Sequence, residues 1–225
     1  LVVTDCADAT APEVVQAQAL AGETTPCTSY IDPRLESDNG ADLNQGVTEV
    51  IFVFSEEVQK VGGGALDAAN FITRETGAGA APTVTNVSTT DNISFTLTLS
   101  GPPTLQEWTT IEAIDVEDAG CGANPLRKEG DLGPGVPEPD RIDIAFLPGD
   151  VNQDGQVTPQ DLINLRQFLT NDAFHNDCAD ILYFDIDRDG VMPEPQDLLR
   201  FRQLISGTSP ATRNWTLEAV NSVQP

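Results

Sequence analysis

The stretch DVNQDGQVTPQD, residues 150–161, sets oxygen-bearing side chains at alternate positions: Asp150, Asn152 and Asp154. Gly155 follows, and Asp161 closes the run. A hard cation such as calcium takes about 6–8 oxygens at about 2.3–2.6 Å. A tight loop supplies them from its first, third and fifth side chains, the seventh backbone carbonyl and a carboxylate at the twelfth. The ligands expected here are Asp150, Asn152, Asp154, the Gln156 carbonyl and Asp161, with Thr158 at the ninth position, where a water bridges. Glycine at the sixth position lets the chain turn with positive φ.

The same pattern returns in DIDRDGVMPEPQD, residues 185–197. Its ligands are expected to be Asp185, Asp187, Asp189, the Val191 carbonyl and Asp197. The loop starts are 35 residues apart and the closing aspartates 36, so the second loop carries one extra residue. Asp197 falls at its thirteenth place, and that loop must bulge. One such run could be a plain polar turn, because Asp, Asn and Gly are common turn residues. A repeat running into the same Pro-Gln-Asp-Leu helix start argues for two calcium loops.

Each loop needs a helix to hold its last carboxylate. Thr158-Pro159-Gln160-Asp161 reads as N-cap, proline at the first helical position and a carboxylate at the third. Glu194 holds the cap place in the second copy and is a poorer cap. Leu162, Leu165 and Leu169, and Leu198, Phe201 and Ile205, form the apolar stripe expected to face a core.

Ahead of the loops the chain reads as β. In TEVIFVF (48–54) both alternating faces are apolar, which predicts a central strand. PTVTNVS (82–88) and ISFTLTLS (93–100) form a hairpin-like pair. WTTIEAIDV (108–116) and RIDIAFL (141–147) complete the set. Short strands between Gly, Pro and Asp turns predict an antiparallel sandwich. In the N-terminal arm, EVVQAQAL could be a strand or one or two helical turns. VGGGALD (61–67) lacks a phosphate-cradle pattern and is expected to be a turn. Arg127-Lys128 is the one adjacent basic pair and could meet an acidic neighbour.

The 225 residues carry 36 acidic and 11 basic side chains, a formal charge of −25. Such a surface repels nucleic acid and anionic membranes and attracts cations. No apolar run approaches the ~20 residues that span a bilayer. Cys6, Cys27, Cys121 and Cys178 lie far apart and His175 is the sole histidine, which disfavours zinc. Widely spaced cysteines suggest disulfides and an oxidising compartment. Three pairings are possible, with Cys6–Cys27 and Cys121–Cys178 preferred. His175 has no nucleophile context, so no catalytic residues and no organic cofactor are expected.

GVTEVIFVFSEEVQ with the later LDAANF resembles the bacterial immunoglobulin-like domains of cell-surface and S-layer proteins. The duplicated loop–helix, residues 149–206, resembles dockerin modules, F-hand calcium-binding units in which Asp closes each loop. The resemblance implies calcium at both loops and docking onto cohesin domains through helix surfaces. Arg166-Gln167 and Arg202-Gln203 match the later contact positions. Pro159-Gln160 and Pro195-Gln196 depart from the Ser/Thr pairs usual near the helix start.

The expected organisation is an N-terminal arm at 1–27, a candidate assembly strand, an immunoglobulin-like antiparallel β-sandwich at 28–147, a small α-helical dockerin-like module with two calcium loops at 148–206, and a tail at 207–225. The expected function is that of an exported, extracellular or cell-surface, non-catalytic structural protein, a calcium-stabilised subunit of a fibre or layer. The alternative is an adaptor whose module docks onto a separate cohesin-like receptor. Its partner is thus an identical subunit or a cohesin-like domain, with no nucleic acid and no membrane insertion.

Overall fold

The computed structural model describes residues 11–19, 29–32, 49–77, 79–101, 103–120, 123–128, 140–152, 154–171, 186, 195–207 and 217–220. All four cysteines, His175 and Trp215 lie outside the described residues, as do the pairings expected of the cysteines.

Among the described residues, ten strands and two α-helices follow in order: β1 (Val14–Ala19), β2 (Ser29–Asp32), β3 (Glu49–Phe54), β4 (Val58–Lys60), β5 (Phe71–Glu75), β6 (Val84–Thr89), β7 (Ser94–Leu99), β8 (Trp108–Ala113), β9 (Val116–Asp118), β10 (Arg141–Phe146), α1 (Pro159–Asn171) and α2 (Pro195–Ser206). One sheet runs β1-β3-β7-β6, a second β2-β10-β8-β5, and β4 pairs with β9. Every pairing is antiparallel except that of β10 with β2.

The alternation in the sequence sets which faces meet. Val50, Phe52 and Phe54 of β3 and Phe95, Leu97 and Leu99 of β7 are buried, and their in-between neighbours are half-buried or more exposed. Phe52 of the first sheet meets Phe71 of the second edge-on, with ring centroids 5.4 Å apart. Phe71 also lies 6.5 Å from Phe95, so the two sheets close over one aromatic centre. Such offset and edge-on ring pairs add to plain apolar burial.

Local chemistry explains where strands stop. WTTIEAIDV is two strands, not one, because Asp115 adopts φ 55 between β8 and β9. Aspartate tolerates this left-handed conformation better than most residues. The chain thereby leaves the second sheet to pair with β4. In LDAANF, Asn70 is buried and organises the corner. Its Oδ1 accepts from Asp67 N (3.1 Å), and its Nδ2 donates to Ile114 O (3.0 Å). Within the arm segment EVVQAQAL, Val14–Ala19 is a strand, laid on β3 with Val14 buried. Arg127 does meet an acidic neighbour, Glu13, at 3.1 Å. Gly62, Gly63 and Gly64 all have positive φ and open space around them, as a turn requires.

β10 runs into the first loop through Pro148-Gly149, and every residue from Ile142 to Val151 is buried. Leu147, Val151, Val157, Leu165, Phe168, Phe201 and Leu204 join the sandwich residues in one continuous core. Gly149 has φ 96, and a Cβ there would lie 3.1 Å from Val157 Cγ1 and 3.5 Å from Phe201 Cε2. Gly149→Ala should therefore destabilise the protein by about 1–3 kcal/mol through backbone strain and crowding. Urea unfolding followed at the helical signal measures it, and an unchanged midpoint would contradict a tightly packed junction.

Candidate metal centre

The first loop is built on backbone N–H groups that hold its carboxylates in place. Asp150 and Asp161 are both 0% exposed. Asp150 Oδ1 accepts from Asp154 N (3.1 Å) and its Oδ2 from Gly155 N (2.9 Å). Asp161 Oδ1 accepts from Asn152 N (3.0 Å) and its Oδ2 from Thr158 N (2.7 Å). Thr158 Oγ1 in turn accepts from Gln160 N at 3.2 Å. Asp161 thus closes the loop and caps α1 at once, and the helix starts at Pro159 as its sequence predicts. Exposed Asp154 and half-buried Asn152 form the lip, where Asn152 Nδ2 donates to Asp154 Oδ2 at 2.9 Å. Gly155 turns with φ 83 and has free space around it.

The electrostatics show what this arrangement lacks. Burial first, then the charges of Asp161 and Asp154, push the Asp150 carboxyl up to about 8. Burial also raises Asp161 above its ordinary value, against the pull of the Thr158 and Asn152 N–H groups. Packing three carboxylates this closely is unfavourable unless a positive charge joins them. No three acidic, His or Cys side chains among the described residues suffice for an ion by themselves. The loop would draw on the Asn152 side-chain oxygen and the Gln156 carbonyl as well. An all-oxygen, acidic and partly neutral donor set fits a hard dication. Calcium bound there would neutralise the repulsion and fix the loop, while the carboxylates release their protons.

Of the second loop, Ile186 and Asp197 are described; Asp185, Asp187, Asp189 and Val191 lie outside the described residues. Asp197 is buried in the first turn of α2, and its Oδ1 accepts from Ile186 N at 2.8 Å. The closing aspartate of each loop thus accepts a backbone N–H from the start of its own loop. Val151 and Ile186, second in their loops, are both buried apolar anchors.

The expected apolar stripes face the core, with Leu165 and Phe201 fully buried. Phe168 in α1 and Leu204 in α2 are buried beside them, as are Asp161, Asn164 and Asp197. Leu162, Leu169, Leu198 and Ile205 flank them, partly buried. The closing aspartates must point inward to reach their loops, so the face that carries them becomes the core face. Outside it, Ile163 and Leu199 are 45% and 46% exposed. Arg166, Gln167 and Thr170 sit beside Ile163 as Arg202, Gln203 and Ser206 sit beside Leu199, on the same side of each helix. Thr170 Oγ1 donates to Arg166 O at 2.9 Å and Ser206 Oγ to Arg202 O at 2.6 Å, one bond repeated.

Residues 217–220 pair with this loop and Gln106 bonds to them, contacts that no spacing in the sequence announces. Gln106 comes from a turn of the β region yet reaches Glu218, 112 residues away. No spacing rule links the two.

Residues 148–206 match the family model described as the dockerin type I domain. Modules of this type bind calcium and serve protein–protein assembly. A search of curated proteins gives no match. Among solved structures the chain is similar at 14% identity to the N-terminal part of the bacterial S-layer protein SbsC, with a TM-score of 0.37 over 61% of this chain and 24% of that one. Two further structures of that protein, rSbsC(31-844) and domains 1-6, give TM-scores of 0.36, covering 14% of those chains and 61% and 60% of this one. The likeness is distant, and the chain spans about a quarter or less of their length.

Proposed function

From a β domain followed by a dockerin-like module, we infer that this chain is a non-catalytic, calcium-stabilised extracellular assembly protein, a structural subunit of a surface-associated fibre or layer. The observation that carries this reading is the junction. A strand, a Pro-Gly turn and a metal loop are buried without interruption from Ile142 to Val151. The module is a fixed extension of the sandwich, whereas an adaptor that searches for a receptor gains from a flexible linker. Calcium at Asp150, Asn152, Asp154, Gln156 and Asp161, with Thr158 beside it, stiffens the joint; the second loop adds Asp185, Asp187, Asp189, Val191 and Asp197. No helix among the described residues is long and apolar enough to cross a membrane. The outer edges of β1, β6, β2 and β5 bear no further strand among the described residues, and a neighbouring copy could extend a sheet there.

One observation favours a second reading. The matched exposed sets around Ile163 and Leu199 give the module two like faces, which suits docking onto a cohesin-like receptor. The readings separate on the purified intact chain. With calcium and rising concentration, a subunit forms ordered polymers visible by negative-stain microscopy. A chain that stays monomeric, yet binds a cohesin-class receptor and loses it on paired Arg166→Glu and Arg202→Glu substitution, is an adaptor.

A further inference from the structure

We propose that residues 217–220 form a strap that positions a metal ligand of the first loop, and that Gln106 of the β domain holds the strap. This rests on the reading of residues 150–161 as a calcium loop. Val157 N donates to Glu218 O (2.9 Å), Leu217 N to Val157 O (2.8 Å) and Val220 N to Gly155 O (3.0 Å). Gln156 and Ala219 stand opposite each other as an antiparallel bridge. The strap therefore takes the carbonyls on either side of Gln156, not its own. In such a pair the two facing residues turn their N–H and C=O groups away from each other. The Gln156 N–H accordingly donates to Asp154 Oδ1 at 3.0 Å, on the loop side. Its carbonyl shares that side, where the seventh loop position must offer oxygen to the ion. Pairing with the strap fixes which way this peptide faces.

The strap is itself fastened from the sandwich. Gln106 Nε2 donates to Glu218 Oε2 (2.7 Å) and to Ala219 O (2.9 Å). The Gln106 backbone N donates to Phe146 O at 3.0 Å, at the end of β10. One residue thus ties the last strand of the sandwich to the strap, and the strap to the loop. Without it, the Gln156 peptide is free to rotate and the ion gains a water in place of a protein oxygen. By reciprocity, a bound ion strengthens the strap's hold on the β domain.

Calcium titration by calorimetry tests this on the native chain, on Gln106→Ala, on a chain ending at residue 216, and on Glu218→Gln, which keeps an acceptor for Gln106. Gln106→Ala and the shortened chain should bind about 10-fold more weakly at one site, and Glu218→Gln should stay near native. Terbium luminescence lifetimes in H2O and D2O should show about one more bound water in the shortened chain, since one ligand oxygen of the usual set is lost. In an Asp150→Ala background, Gln106→Ala should have no further effect on binding. Equal affinity and equal hydration in native, Gln106→Ala and shortened chains would overturn the strap. A native chain that takes up no calcium would instead overturn the loop assignment beneath it. Should the shortened chain not fold, Gln106→Ala alone decides.

Discussion

Chelating calcium from the intact protein is expected to lower the melting temperature of the helical module by roughly 10–30 °C, and calcium to restore it. At 100 to 1,000 times its dissociation constant, a ligand that binds only the folded state adds about 3–4 kcal/mol. For a unit this small, each kcal/mol moves the transition by roughly 4–8 °C. The structure gives a reason for an effect of that size. Asp150 and Asp161 are fully buried, with Asp154 close by. The pH dependence should follow with a definite sign. The folded Asp150 carboxyl sits at about 8, above its ordinary 3.8, so the metal-free fold prefers it protonated. Between those values the unfolded chain gives up the proton and the fold resists. The chelated protein should therefore lose stability as pH rises from 5 to 8. Calcium displaces that proton, so the temperature gained from calcium should grow over the same window. Thermal melts at 222 nm in chelator and in calcium check both statements. A calcium increment that stays flat or shrinks with pH would remove the buried carboxylates from the metal site.

Asp161→Ala should cost about 2–4 kcal/mol in calcium. The aspartate makes two contributions there. It accepts the N–H groups of Asn152 and Thr158, and leaving such groups unpaired costs about 1–3 kcal/mol. In the proposed calcium loop it would also supply a carboxylate to the ion. Asp161→Asn separates these effects, because its amide oxygen can keep part of the hydrogen bonding while the charge is gone. In chelator, the Asn variant should be as stable as the native chain or more so, since it relieves repulsion with Asp150. In calcium it should be clearly weaker. Denaturant unfolding of both variants, with and without the ion, reads this directly. Equal losses under both conditions would leave Asp161 a helix cap and nothing more.

Much of the candidate site was legible because its logic is local. Asp150, Asn152, Asp154, Gly155 and Asp161 lie within one turn of chain and its helix start, and spacing alone brings them together. The strands of TEVIFVF and ISFTLTLS were equally plain, since a period of two assigns each side chain to a face. The apolar stripe of each helix packs on the core, and the structure adds Phe168 and Leu204 to its most buried part. An amphipathic pattern fixes a face only to within a residue, and the inward turn of Asp161 and Asp197 sets it. β2, β4 and β5 were not anticipated. They are short, at 4, 3 and 5 residues, and the partners that define them lie far along the chain. The break at Asp115 was hidden because WTTIEAIDV keeps its alternation through it.

The loop with its cap, the repeat of that loop, the β character of the first part and the acidic surface all follow from the order of residues, because each is a property of neighbours in the chain. The tertiary structure alone decided how the parts are joined. It buried the passage from β10 to Val151, brought Phe201 of α2 against Gly149, and laid residues 217–220 between the first loop and Gln106. Those contacts join residues tens to more than a hundred positions apart, where only packing and strand pairing, not spacing, choose the partner.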